Sequence, residues 1–220
     1  MVRIPTGLPK LDITIGGYLG GMLYFVYGEE KSGKTSLVLL AAVNAIKLGG
    51  KVVWIDCGQR LHAKRLSQVL STNKADASKF IITPTKSFDE QEAVIISLLE
   101  GTSSGTRLIV LDDYTYLHRI AMKGELKEDA PIFKRLAFQT ASLKEVAATN
   151  DIPIIAVGQV HEVPGFGTKP VASRIVGYWS DAVFRLENAP AGFRVLILEK
   201  GGRYLEQRFR ITDAGVEAVS

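Results

Sequence analysis

Gly28-Glu29-Glu30-Lys31-Ser32-Gly33-Lys34-Thr35 follows an apolar run, Met22 to Tyr27, and leads into Lys34 to Leu48, where apolar residues recur at helical spacing. The eight residues match G-x-x-x-x-G-K-[ST] without a gap, between a predicted strand and a predicted helix. Glycines let such a backbone fold tightly round phosphate groups with its N–H groups pointing inward. Lys34 is placed to lie along the β- and γ-phosphates, and the Thr35 hydroxyl to ligate Mg²⁺. The helix N-terminus adds positive potential. Gly28, Glu30, Lys31, Ser32, Gly33, Lys34, Thr35 and Ser36 are therefore the candidate nucleotide-binding residues, with ATP and Mg²⁺ as ligands. The competing reading is a glycine turn before an ordinary helix. Glu29 and Glu30 must point away from bound phosphate or weaken its binding.

The same alternation continues outward from the loop. Predicted strands are Lys51–Asp56, Phe80–Thr83 (stopped by Pro84), Leu108–Leu111 and Ile152–Val160. Predicted helices are His62–Leu70, Asp89–Leu99 and a long one capped by Asp129, with Pro131 in its first turn and Ile132, Leu136, Thr140, Leu143 and Ala147 on one face. Residues 161–170 read as a loop. Three strands close the chain: Ala182–Leu186, Phe193–Lys200 and Glu206–Thr212, the last two joined through Gly201-Gly202. Strands alternating with helices imply a mainly parallel, twisted sheet covered on both faces, here with an antiparallel C-terminal extension. In such sheets ligands sit at the carboxyl ends of the strands.

The 220 residues predict one domain, 1–220. With 46% hydrophobic and 23% charged residues the composition excludes a disordered, collagen-like or low-complexity chain. One cysteine, Cys57, excludes an intramolecular disulfide and a cysteine-based zinc knuckle. There is no apolar leader and no stretch long enough to span a bilayer, so a cytoplasmic protein without membrane contact is expected. A net charge of +4 favours polyanionic partners only weakly, because the charge is mixed along the chain.

A Mg²⁺–nucleotide site needs a carboxylate at a neighbouring strand end. Arg107-Leu-Ile-Val-Leu-Asp112-Asp113 supplies an apolar strand tipped with acid. Asp112 directly follows the apolar run and is the first choice as metal carboxylate; Asp113 is the alternative, and a turn or cap role is the bland one.

Thr6-Gly7-Leu8-Pro9-Lys10-Leu11-Asp12, Gly16-Gly17 and the phosphate loop together resemble the RecA/RadA/KaiC superfamily of ATPases. Leu111–Arg119, Gly158-Gln159-Val160, Thr168–Ala172 with Gly177-Tyr178, and Phe209–Gly215 extend the resemblance, which is greatest to the archaeal RadB-type recombinase paralogues and covers nearly the whole chain. It implies a RecA-type P-loop core. It implies that Arg119 stacks on adenine and that Gln159, a second candidate catalytic residue beside Lys34, senses the γ-phosphate. It places DNA contacts in 161–174, with Lys169 and Arg174 as the fixed cations, and a second DNA loop in 123–128. On the residues alone, Arg119 is also readable as a surface arginine, Gln159 as a strand-end polar group, and 161–174 as an ordinary loop.

Two departures from the family shape the functional expectation. Family recombinases carry a water-activating glutamate after the second strand. Here Ile55-Asp56-Cys57-Gly58-Gln59 puts glycine in its place, and Cys57 reads as a small buried residue. Filament-forming relatives also carry an N-terminal helical DNA-binding domain and a Phe-x-x-Ala linker. Only a few residues precede this core, and Phe138-Gln-Thr-Ala141 lies within a predicted helix. The expectation is an ATP-binding accessory in homologous recombination and DNA repair with weak or no hydrolysis. Its expected partners are DNA and a RadA-type main recombinase, and its expected state a monomer or small homo-oligomer. The alternatives are a nucleotide-gated interaction module and a KaiC-like signalling ATPase. A glutamate installed at position 58 is expected to raise turnover, provided the backbone there tolerates a side chain.

Overall fold

Leu23–Gly28 (β3) is buried along its whole length. Leu23, Phe25 and Tyr27 enter one core cluster while Tyr24 and Val26 enter the other. A strand covered on both faces cannot alternate apolar with polar residues, which is why it reads as a continuous apolar run. The computed structural model describes residues 2–163, 167–170 and 172–219, and the side chains at 126, 161–170 and 173 lie outside the described residues.

Around β3 the strands are Lys51–Cys57 (β4), Phe80–Thr85 (β5), Thr106–Asp112 (β6), Ile154–Val163 (β7), Ala182–Asn188 (β9), Arg194–Lys200 (β10), Leu205–Thr212 (β11) and Gly215–Ala218 (β12). They run in the order β12-β11-β10-β9-β3-β7-β6-β4-β5, with Gly167–Pro170 (β8) paired to the far end of β7. From β5 to β9 neighbours are parallel; from β9 to β12 they are antiparallel. A short pair, Arg3–Ile4 (β1) with Tyr18–Leu19 (β2), stands apart from this sheet.

One face is covered by Lys34–Lys47 (α2) and Ala63–Thr72 (α3); the other by Phe88–Glu100 (α4), Tyr114–Ala121 (α5), Leu126–Asn150 (α6) and Ser173–Trp179 (α7). Trp54 is fully buried in the first face, its ring 5.3 Å from that of Phe80. The opening motif folds as a unit around Pro9–Ile15 (α1): the Asp12 carboxylate accepts from Thr6 N–H at 2.8 Å, while Leu8 and Leu11 are buried.

Several local expectations are corrected. β5 runs through Pro84 instead of stopping there, because an edge strand tolerates a residue without an N–H. The long helix starts at Leu126, so Asp129 is not its cap. Its carboxylate accepts from Lys123 and Gly124 N–H at 2.7 and 3.0 Å, tying down the preceding turn. The proposed DNA loop 123–128 is thereby half helix, and Lys123 is paired with Glu128 at 3.1 Å. The expected loop over 161–174 is largely structured: β7 continues to Val163, β8 returns against it, and α7 starts at Ser173. The Phe138–Ala141 tetrapeptide lies inside α6.

His118 gives the fold a pH dependence. It is buried in α5 against the rings of Phe88 and Phe133, at 5.7 and 5.1 Å. Among the described residues, neither of its ring nitrogens has a hydrogen-bond partner. Burial lowers its pKa from 6.5 to about 4. Between those values the unfolded chain binds a proton that the folded chain does not, so stability is lost as pH falls from 6.5 towards 4. The total loss is on the order of 2–3 kcal/mol. His118→Phe is expected to flatten thermal-melt midpoints across this window; an unchanged pH profile would remove His118 as the cause.

Candidate nucleotide-binding site

The carboxyl ends of β3 and β6, the turn after β4 and the middle of β7 meet at one cleft of about 350 Å³. Register brings these positions level: Gly28 pairs with Gln159, and Asp56 with Asp112. Lys34, Thr35, Asp112 and Gln159, widely separated in sequence, all line this cleft, together with Glu30 and Lys31.

The loop forms as its glycines predict. A Cβ on Gly28 would stand 2.1 Å from the Leu186 carbonyl oxygen of β9, so only glycine permits this approach. Gly33 caps α2 in a left-handed conformation, and no side chain caps the helix. The first-turn N–H groups are thus left without a side-chain acceptor, the arrangement that suits an anion. Lys34 Nζ donates to the Gly28 and Glu29 carbonyls at 2.9 and 2.6 Å, and burial lowers its pKa. Glu29 turns outward as required, its carboxylate accepting from Asn188 at 3.0 Å. Glu30 remains at the cleft. Ser32 Oγ donates to the Glu29 carbonyl at 2.8 Å, bracing the loop. Ser36 faces elsewhere: its hydroxyl accepts from Arg65 at 3.1 Å.

Thr35 Oγ1 donates to Asp112 Oδ2 at 2.9 Å. Beside it, Asp113 is buried with neither carboxylate oxygen hydrogen-bonded. Burial raises Asp112 to about 6 and Asp113 to about 7, with the Asp112 charge adding to the rise at Asp113. A hydroxyl beside two desolvated carboxylates is a hard-oxygen donor set suited to Mg²⁺. Among the described residues no three His, Cys, Asp or Glu side chains form a metal cage of their own. A cation here would thus take oxygens from phosphate and water, as Mg²⁺ does.

Other expected residues fall outside the cleft. Arg119 is exposed on α5, its guanidinium 5.8 Å from the Tyr116 ring centroid, and does not line the cleft. Arg174 is exposed on α7. Lys169 sits in β8, its side chain outside the described residues. Cys57 is buried, and burial pushes its thiol pKa up, which leaves it inert.

Position 58 does not tolerate a side chain. Gly58 has φ +85°, and a Cβ there would stand 2.4 Å from two carbons of the Tyr116 ring. Sequence reasoning also missed Arg60 and His62, both of which line the cleft. A cation soon after a strand end is too common a pattern to single either one out.

A model of the RecA N-terminal domain matches residues 2–166. The chain is 32% identical over 211 residues to the DNA repair and recombination protein RadB of Methanocaldococcus jannaschii, covering 94% of this chain and 98% of that protein. It is 34% identical over 227 residues to the DNA repair and recombination protein RadB of Thermococcus kodakarensis, covering 98% and 99%. A crystal structure of the RadB recombinase matches with a TM-score of 0.80 at 33% identity, over 99% of this chain and all of that one. With the strand order, the loop and the relatives in agreement, the chain belongs to the RecA/RadA superfamily and is RadB-like within it.

Proposed function

We propose that this chain acts as one RecA-type core that binds ATP with Mg²⁺ and serves as an accessory in homologous recombination and DNA repair, turning ATP over slowly or not at all. The observation that carries the reading is the convergence of Lys34, Thr35, Asp112 and Gln159 on one cleft. Lys34 and the α2 N-terminus would hold the phosphates. Thr35 and Asp112 would hold Mg²⁺, which neutralises phosphate charge when bound. Gln159 would contact the γ-phosphate from the middle of β7 and pass its state to the hairpin that the rest of the strand forms with β8. Arg119 would have to leave Tyr116 to stack on adenine.

General-base help is worth about 10²–10⁴-fold. Cys57 is buried, and neither Gly58 nor Gln59 carries an acid, so retention of ATP with slow turnover is expected. A side-by-side single-turnover assay against a glutamate-bearing relative tests this; equal rates would sink the slow-turnover reading.

The repair role rests on the likeness to proteins named for DNA repair and recombination. The proposed DNA contacts are Lys169 and Arg174, just past Gln159. Counterion release gives a slope of about −0.9 per duplex phosphate contact in log K against log salt. The Lys169→Ala/Arg174→Ala pair is therefore expected to weaken DNA binding and to shallow that slope by about 1–2. An unchanged slope would remove this segment from the DNA site, and a flat slope in the parent would favour an interaction module that touches DNA little.

A further inference from the structure

The turn after β4 carries a cation, Arg60, into the cleft two residues past the position where catalytic relatives are expected to carry an acid. The Asp56 carboxylate accepts from the N–H groups of Arg60 and Leu61 at 2.8 and 3.1 Å, which folds the chain back over the strand end. Gln59 completes the turn with φ +56°. Gly58 is closed by Tyr116, and the Arg60 guanidinium lies over the same ring, 4.6 Å from its centroid. Arg60 thus stands in the cleft with Lys34, Thr35 and Gln159. Its Nη1 is 3.7 Å from Asp113 Oδ2, too long for a hydrogen bond, and among the described residues the guanidinium makes no hydrogen bond of its own.

We propose that Arg60 is a γ-phosphate ligand supplied from within the chain, so that the site distinguishes nucleoside triphosphate from diphosphate by direct contact instead of by hydrolysis. The proposal rests on the nucleotide-binding reading of the cleft. Three features support it. The guanidinium is held by a ring and a distant carboxylate, so its donors are free for an anion. A planar fork of N–H groups suits phosphate oxygens and forms charge-assisted bonds with them. Its partner Asp113 has no hydrogen bond to lose when Arg60 turns to the ligand. A cation that meets only the terminal phosphoryl group strengthens binding of the triphosphate and leaves the diphosphate unaffected.

The test is calorimetric binding of a non-hydrolysable ATP analogue and of ADP, both with Mg²⁺, to the full chain and to Arg60→Ala and Arg60→Met. Methionine keeps the apolar stem over Tyr116 and removes the charge. Both variants are expected to bind the triphosphate about 10–100-fold more weakly, the range for a lost hydrogen bond to a charged group, and to keep ADP affinity within about twofold. Equal weakening of both nucleotides would make Arg60 merely structural, and unchanged triphosphate affinity would exclude the contact; either result overturns the proposal while leaving nucleotide binding intact. A parent that binds neither nucleotide overturns the underlying reading as well.

Discussion

Lys34→Ala is expected to abolish the rise in thermal stability that ATP with Mg²⁺ gives the parent chain. A ligand that binds only the folded state adds RT ln(1 + [L]/Kd), about 2.7 kcal/mol at a hundredfold excess over Kd. For a chain of this size that corresponds to roughly 5–10 °C in the parent. In the alanine variant the loop keeps its backbone but loses the ammonium that now bridges the Gly28 and Glu29 carbonyls. Glu29 is exposed but Gly28 is buried, so the ligand-free melting point is expected to fall by a few degrees at most. The shift on adding nucleotide should then fall to nearly zero. An equal shift in variant and parent would remove the loop from the binding site.

Gly58→Glu is expected to destabilise the fold, not to activate it. A non-glycine residue in the left-handed region costs about 1–2 kcal/mol, and forcing extra volume into a packed position costs about 1–3 kcal/mol. Both apply here, since φ is +85° and the Tyr116 ring occupies the place of the Cβ. The melting point should fall by roughly 5–15 °C on this account. Adding Tyr116→Ala relieves the contact but not the backbone strain, so the double variant is expected to melt above Gly58→Glu alone by more than the effect of Tyr116→Ala would allow additively. A Gly58→Glu protein that melts with the parent would show that the turn rearranges freely. Gly58 and the Tyr116 ring thus fit one another, and a side chain at position 58 requires a change at Tyr116 as well.

Much of this site was legible because its chemistry is local. The phosphate loop is a contiguous eight-residue pattern between two elements with strong periodicity, and Asp112 ends an unbroken apolar strand. Parallel register then does the rest, since it sets Gln159 of the longer β7 level with Gly28, and Asp56 level with Asp112. Arg60 was not legible. Its direction depends on the Asp56 carboxylate, on the left-handed Gln59 and on a ring from α5, and no spacing rule links Tyr116 to Gly58. Asp129 misled for a different reason: an acid just ahead of a proline reads as a cap, and only the folded chain shows which N–H groups it takes. Among the elements that escaped notice, β1, β2, α7 and β12 are two to seven residues long, too short for periodicity to register, and the eight-residue α5 follows directly on the acidic strand end.

β3, the strand that launches the phosphate loop, is flanked by β7 and β9, both made long after it. The Leu186 carbonyl stands against Gly28, and Arg65 of α3, which donates to Ser36 in α2, also donates to the Thr212 and Gly215 carbonyls at 2.7 and 3.1 Å. Synthesis proceeds from the N-terminus, so a nascent chain leaves the ribosome carrying the loop sequence but neither lateral strand that gives the loop its shape. Such distant pairings also close slowly. A chain stalled before residue 182 lacks β9 and the Leu186 carbonyl that stands against Gly28, so its loop is expected to be unshaped on that side.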